Sequence, residues 1–161
     1  MIRLARLCAP TIVVGLVMVF AAGSASGQGS EPLNGTWKLS RVKSSFSPDP
    51  APLSETVRIE GIDAVRKITV DVTSATGEAQ RWSVSGATGR GLPVVGANPD
   101  SDVCVLTRVN ATTLEAQYMK GGKPTIKQRA VVSADGHTLT VTASGTDAQG
   151  RPVRNVAVYY K

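Results

Sequence analysis

The chain has 161 residues, a formal charge of +6 and only 4% aromatic residues. Its basic residues are scattered, and no basic run is longer than Arg66-Lys67. Nucleic-acid-binding domains concentrate positive charge on one face, often with aromatic residues among it, so this composition argues against nucleic acid as a partner. The length suits one domain, and no charge block or linker divides the chain.

The first 27 residues have the three-part pattern of a signal peptide. Arg3 and Arg6 give a positive start, the apolar run Leu7–Ala22 follows, and small residues come next. Cleavage is expected after Ala25 or Gly27, which predicts an exported protein, periplasmic or extracellular, with no stable membrane span. The alternative is an uncleaved anchor, because the apolar run is only slightly shorter than a helix that spans a membrane.

Cleavage would leave a weakly basic chain with one cysteine. Without Arg3 and Arg6, 16 basic residues face 12 acidic ones, a formal charge of +4. Cys8 precedes the apolar run, which argues against a lipid-anchored lipoprotein. Cys104 then has no partner for an internal disulfide, and no histidine neighbour or helix start to activate it, so an inert strand thiol is expected. Residues 28–35 are predicted to be a short flexible N-terminus before a barrel domain over 36–161.

Residues 36–161 alternate short β-branched runs with turn sequences, and no window keeps a helical period. The predicted strands, in chain order, are GTWKLSRV, ETVRIE, KITVDVT, RWSVS, GLPVVG, VCVLTRV, TLEAQYM, TIKQRAVV, TLTVTAS and VRNVAVYYK. Sequences rich in Gly, Asn, Asp and Pro separate them and predict tight reversals. This pattern is typical of an antiparallel meander of nine or ten strands, depending on whether GLPVVG pairs.

A long meander left open would expose two edges and one apolar face to water, whereas closure removes both problems. The sequence therefore predicts an all-β fold, a single up-and-down antiparallel β-barrel of about eight to ten strands. A two-sheet β-sandwich is the alternative. The Pro-rich segment Phe46–Ser54 is expected to be a loop that crosses one end of the barrel.

Gly35-Thr36-Trp37, at the start of the first strand, resembles the G-x-W signature of lipocalins. The stretches NPDSD, SADGHTLTVTASGTDAQG and VAVYYK also look like parts of small exported bacterial lipocalin-like (calycin-type) proteins. The resemblance implies that Trp37 plugs one end of the barrel beneath the first and last strands. It also implies that a basic residue near the end of the last strand, Arg154 or Lys161, stacks on this tryptophan.

The chain departs from the lipocalin pattern in two places. It has no helix after the last predicted strand, and the second signature, T-D-Y, is missing because Thr146-Asp147 precedes Ala148. Fatty-acid-binding proteins also close ten strands into a barrel, with a helical lid after the first strand. The Pro-rich segment takes that position here, so no helical lid is expected.

The alternation predicts which residues line the interior. Candidate ligand-binding residues among them are Trp82, Tyr118 and Tyr160. The strand TIKQRAVV fits two facings, one with Gln128 inward and one with Arg129 inward. An inward Arg129 would anchor a ligand carboxylate, because its planar guanidinium matches both oxygens. The other predicted lining residues are Ile68, Val70, Val72, Val84, Leu114, Ala116, Leu139, Val141, Val156 and Val158.

No catalytic or metal-binding constellation stands out. The mature chain has one histidine, His137, within an Asp-Gly turn, and no G-x-S-x-G elbow. Asn98, Asp100 and Asp102 have the alternate spacing of calcium-loop ligands but lack the glycine and glutamate that complete such a loop, so an Asx turn is favoured over weak calcium binding. The carboxylates, Glu55 among them, are expected to be solvated. We therefore predict no enzyme, metal or cofactor.

Two functions fit this sequence. The first is a binding protein that holds a small hydrophobic molecule inside the barrel. The second is a filled barrel with a non-catalytic structural or interaction role in the cell envelope, because small and β-branched side chains can fill a narrow barrel themselves. An isomerase-like activity is the minor third option. Ligand, protein partner and oligomeric state are not determined by the sequence.

Overall fold

The computed structural model describes residues 31–161. The predicted signal peptide, its cleavage site and residues 28–30 lie outside the described residues. Ten strands follow one another along the described residues, and each is antiparallel to its neighbours. They are β1 Gly35–Leu39, β2 Ser54–Ile62, β3 Val65–Thr73, β4 Ala79–Ala87, β5 Gly91–Gly96, β6 Val103–Asn110, β7 Thr113–Lys120, β8 Lys123–Val132, β9 Thr138–Thr146 and β10 Pro152–Tyr160.

The strands close into one up-and-down antiparallel barrel, because β1 pairs with both β2 and β10. The predicted fold class is confirmed, the sandwich is excluded, and the GLPVVG segment pairs as β5. Closure gives every strand two neighbours, so no edge is left open. The only helical element among the described residues is a 3-10 turn over Arg41–Lys43, and the Pro-rich segment follows it where a helical lid would stand.

The barrel interior is filled by one face of each strand. In β3, Ile68 and Val70 point inward and are buried, while Lys67 and Asp71 alternate with them on the outer face. This period of two is what the sequence alternation predicts. The buried side chains form a single core cluster that runs through the barrel.

Two glycines let strands bend where they meet their neighbours closely. Gly96 ends β5 opposite Trp82, and Gly145 in β9 lies opposite Ile126. Both have positive φ angles, of 108° and 143°. A Cβ at either position would clash with the carbonyl oxygen of Arg81 or Thr125. Any other residue would be strained at these two positions, which lie at the same end of the barrel.

The two ends of the barrel differ, and we name them by their contents. The packed end is formed by the start of β1, the residues before it, and the hairpins β2–β3, β4–β5, β6–β7 and β8–β9. The loop end is formed by the long β1–β2 connection, residues 40–53, together with the hairpins β3–β4, β5–β6, β7–β8 and β9–β10.

Candidate functional site

A cavity of about 70 Å³ lies inside the barrel. Its wall is mostly apolar, with four side chains that carry hydrogen-bonding groups besides the tryptophan: Glu55, Tyr118, Gln128 and Tyr159. A space of this size has room for a few water molecules or a very small ligand and is below the usual volume of ligand pockets. The remaining lining residues are Val57, Ile59, Ile68, Val70, Trp82, Leu114, Ala116, Ala130, Leu139 and Val141.

Glu55 contributes the one charged side chain of this lining. It begins the inward series of β2, two residues before Val57 and four before Ile59, both of which are buried. Its Oε1 accepts a hydrogen bond of 2.9 Å from the Tyr159 hydroxyl. Burial raises the pKa of Glu55, and the bond from Tyr159 opposes that rise. The expectation that Glu55 is solvated was wrong, although the alternation of β2 carried the signal.

Tyr118 stands beside a second aromatic ring and a thiol. Its ring packs edge-on against Trp82, with centroids 5.7 Å apart and planes at 90°, a preferred arrangement for aromatic pairs. It pairs across β6 and β7 with Cys104, which is fully buried. Burial raises the pKa of Cys104 to about 12, so the thiol stays protonated at neutral pH and is a poor nucleophile.

The cavity continues toward the loop end. A recess of about 210 Å³ lies under the β5–β6 loop, and Trp82, Tyr118 and Gln128 line both this recess and the inner cavity. These three side chains therefore form the partition between the two spaces. A molecule that reaches the inner cavity from this side has to pass them.

Two of the four predicted binding residues, Trp82 and Tyr118, line the cavity, and the other two do not. Arg129 points to the outer face, where its Nη1 donates a 2.6 Å hydrogen bond to Glu115. Gln128 takes the inward position instead, which corrects the prediction of Arg129 as a ligand anchor. The facing follows from register, since Gln128 pairs with Ala116 on β7 and Ala143 on β9, and both are buried.

Tyr160 is also on the outer face, with the Lys43 ammonium 5.4 Å from its ring centre. Tyr159 is the inward residue, and it pairs with the buried Leu139 across β9. The predicted inward face of β10 was therefore wrong, because the facing of every residue in this strand is shifted by one position. Val156 and Val158 lie on the outer face with Tyr160, while Ala157 and Val153 are buried.

Of the other predicted lining residues, Val84 is buried in the core away from the cavity wall, and Val72 lines recesses nearer the surface.

Trp37 lies at the packed end and is fully buried. Its Nε1 donates a 3.0 Å hydrogen bond to the carbonyl of Leu33, itself fully buried. The Lys161 ammonium lies 4.5 Å from the ring centre, so Lys161 rather than Arg154 takes the stacking position. Gly35 leaves room for the lysine, because a Cβ there would be 2.6 Å from Lys161 Cε. The φ angle of Gly35, 144°, is one that residues with a side chain rarely adopt, and it gives the stronger physical reason for glycine two residues before the tryptophan.

An ion cluster that the sequence did not reveal lies at the same end. Arg66 has no exposed surface and donates from Nη2 to Glu31 at 3.0 Å. Arg108 binds both oxygens of the same carboxylate, at 2.9 and 3.0 Å. Glu31 and Leu33 both belong to the segment expected to be flexible, yet both are held here. A single carboxylate thus holds two arginines, and the buried Nε of Arg66 has no hydrogen-bond partner among the described residues.

The Pro-rich segment crosses the loop end, as the sequence indicated. Phe46 packs against the core, and the Ser47 carbonyl accepts a hydrogen bond of 2.9 Å from the backbone N–H of Arg154 in β10. Farther along, Asp49 accepts two hydrogen bonds of 2.8 Å from Arg151, which also donates to Asp147 at 2.6 Å. These hydrogen bonds hold the segment against the β9–β10 hairpin at one side of the loop end.

The side-chain oxygens of Asn98, Asp100 and Asp102 accept hydrogen bonds from backbone N–H groups in turns. Asn98 Oδ1 accepts from the backbone N–H of Asp100 at 3.0 Å, an Asx turn. Asp100 and Asp102 accept from the backbone N–H groups of Ala148 and Gly121, both at 2.9 Å. Among the residues that the structure describes, no three His, Cys, Asp or Glu side chains converge as metal ligands would.

The barrel is similar to solved structures at low sequence identity. It matches a crystal structure of a mutant of the fluorescent protein UnaG with a TM-score of 0.52 and 18% identity, over 81% of this chain and 96% of that one. Zebrafish ileal bile acid-binding protein complexed with cholic acid gives a TM-score of 0.48 and 13% identity, over 81% and 98%. The likeness to the first shows a shared fold.

No family model matches the sequence, and no curated protein does. Within residues 31–161, no helix has the length and apolar character needed to cross a bilayer.

Proposed function

We propose that this protein binds one small, largely apolar molecule inside its barrel. The observation that carries the proposal is the cavity itself, an apolar chamber with a few hydrogen-bonding groups, Glu55, Tyr118, Gln128 and Tyr159, and a recess leading out to the loop end. Ligand sites have this composition, since apolar walls supply affinity and a few polar groups fix orientation. The partition of Trp82, Tyr118 and Gln128 then controls entry.

The small volume of the cavity favours a second candidate, a filled barrel with a structural or interaction role. About 70 Å³ is well below the range of roughly 300–1,000 Å³ for drug-sized ligands. A molecule that fits without rearrangement has few non-hydrogen atoms, and a larger one requires Trp82 or Tyr118 to move. The filled barrel needs no such movement, and its binding surface would lie outside the barrel.

We further propose that the mature protein acts after export, in the periplasm or outside the cell. The support is the signal-peptide pattern of residues 1–27. Mass spectrometry of the protein from cell fractions tests this. A chain that begins near residue 26 or 28 in the exported fraction agrees with the proposal, and an intact N-terminus in the cytoplasm contradicts it.

Native mass spectrometry of the mature protein, purified gently from its own source, tests the binding function. We expect a reproducible added mass that is lost in Ala130→Leu, since the larger side chain projects into the cavity. Arg129→Ala is the matched control, because this neighbour on β8 faces outward, and it should keep the added mass. A bare protein mass, with no change in tryptophan fluorescence across a panel of small apolar compounds, would reject binding in favour of the filled barrel.

A further inference from the structure

The charged side chains that line the inner cavity and three of the recesses around the loop end are all acidic, although the chain as a whole is basic. A further recess beside the β3–β4 hairpin differs, because Asp71 and Arg81 both line it. Glu55 lines the inner cavity, and Asp100 lines the recess under the β5–β6 loop. Two more recesses beside the Pro-rich segment add Asp49 and Asp147. Among the described residues, no lysine, arginine or histidine lines any of these four spaces.

The acidic groups are not equally available. Asp49 and Asp147 bind Arg151, and Asp100 accepts a backbone N–H from Ala148. Glu55 differs, because within residues 31–161 its carboxyl group accepts one hydrogen bond, from Tyr159, and meets no cation. A carboxylate oxygen has room for further donors. Of the four acids, Glu55 is thus the one that faces an apolar interior without a positive partner.

We propose that the ligand of the barrel is a small amine whose ammonium group pairs with Glu55. The proposal rests on the proposed binding function and names its ligand class. An ammonium has three donors, which the Glu55 carboxylate, the Tyr118 hydroxyl and the Gln128 side-chain oxygen can accept, while the hydrocarbon part lies against the apolar wall.

Electrostatics also selects against the opposite charge. A carboxylate ligand would bring a second negative charge close to Glu55 in apolar surroundings, where like charges disfavour each other most and no basic side chain compensates. The recess under the β5–β6 loop acts in the same direction, because Asp100 is its one charged lining residue and a cleft lined by one sign of charge raises the local concentration of the opposite sign.

Three probes of equal chain length separate the possible head groups: n-hexylamine, n-hexanol and n-hexanoate. Their binding to the full mature protein is measured by titration calorimetry and by tryptophan fluorescence, to which Trp82 at the cavity contributes. We expect n-hexylamine to bind at least about tenfold more tightly than the other two, the size of one charge-assisted hydrogen bond. Glu55→Gln should remove this preference, while Glu60→Gln, on the outer face of the same strand, should keep it.

Each remaining outcome overturns a defined statement. If n-hexanoate or n-hexanol binds as tightly as n-hexylamine, the amine assignment is wrong and the binding function stands. The same conclusion follows if Glu55→Gln binds the amine as well as the wild type does. If none of the three probes binds, the amine assignment fails, and if native mass spectrometry also finds a bare protein, the binding function fails with it. The wild-type comparison needs no variant, so a poorly folded Glu55→Gln would not prevent a decision.

Discussion

The packed end and the loop end of this barrel are built from the same ten strands but handle polar and charged groups in opposite ways. At the packed end, the buried Arg66 has a carboxylate partner in Glu31, and Trp37 fills the interior. At the loop end, the carboxyl group of Glu55 faces a cavity with one tyrosine as its partner. A buried charge costs free energy unless it is paired. One end is thus closed by paired and packed groups, whereas the other keeps a cavity and a carboxyl group without a cationic partner, as the proposed binding function requires.

The largest expected effect comes from Trp37→Ala at the packed end. Removing a fully buried tryptophan leaves a large void and an unpaired Leu33 carbonyl, so we expect the free energy of unfolding to fall by about 3–5 kcal/mol. Urea unfolding followed by circular dichroism measures this loss. Trp82→Ala is the comparison at the loop end. It should cost less than half as much, because Trp82 is only half-buried and borders a cavity. Equal losses would contradict the distinction between the two ends.

A smaller loss is expected from Glu31→Gln, which leaves Arg66 buried without an ionic partner. We expect about 2 kcal/mol, somewhat below the cost of breaking a completely buried pair, because Glu31 is partly exposed. Glu115→Gln is the control. That carboxylate also accepts from two basic side chains, Lys127 and Arg129, but both of these are exposed to solvent, so little change should be measurable.

The double variant Glu31→Gln/Arg66→Met sharpens the result, because an apolar side chain in place of Arg66 removes the unpaired charge. We expect it to recover most of the stability. If Glu31→Gln is as harmless as Glu115→Gln in the same urea titration, the ion cluster does not hold the packed end together.

The smallest expected effect is a pH-dependent gain in stability in Glu55→Gln. Burial raises the pKa of Glu55, so the folded protein holds this proton to a higher pH than the unfolded chain, in which the value is near 4.5. The folded state is thus favoured below pH 4.5 and loses stability as the pH rises through the folded pKa of Glu55. Above that pH the wild type carries a constant cost that the variant lacks.

Urea midpoints measured at a series of pH values check this prediction. The variant should be more stable than the wild type at neutral pH, and the gap should close as the pH falls toward 4.5. Glu60→Gln controls for the loss of one negative charge on the same strand and should show no such gap. A gap that widens on acidification would mean that Glu55 is stabilised as a carboxylate, which contradicts the unpaired state inferred for it.

Much of the barrel followed from the sequence, because its signals are local. Alternation with a period of two placed Ile68 and Val70 inside, and turn sequences marked each reversal. The same rule extended by two residues would have placed Glu55 inside, since Val57 and Ile59 define that face. Glu55 was expected to be solvated because its side chain is charged, so the predicted site did not include its one acidic residue.

Where both faces of a strand carry plausible residues, local patterns fail. Tyr159 and Tyr160 are adjacent and chemically alike, and Gln128 and Arg129 are both long polar side chains. Their facing is decided by pairing, since Tyr159 lies opposite the buried Leu139 and Gln128 lies opposite Ala116. A shift of one residue moves every side chain of a strand to the other face, which is why Tyr160 was misassigned and the facing of Arg129 could not be decided from the sequence.

The sequence by itself determined the all-β class and the succession of antiparallel strands, because hydrophobic alternation and turn residues act over a few neighbouring positions. Closure was favoured over a sandwich by the sequence but was decided by the pairing of β1 with β10. Only the tertiary structure decided that Glu31 meets Arg66 and Arg108, that Lys161 covers Trp37, and that Glu55 faces the cavity with Tyr159. These pairs are 35 to 124 positions apart in the chain, and they form only when closure of the barrel fixes the register of every strand at once.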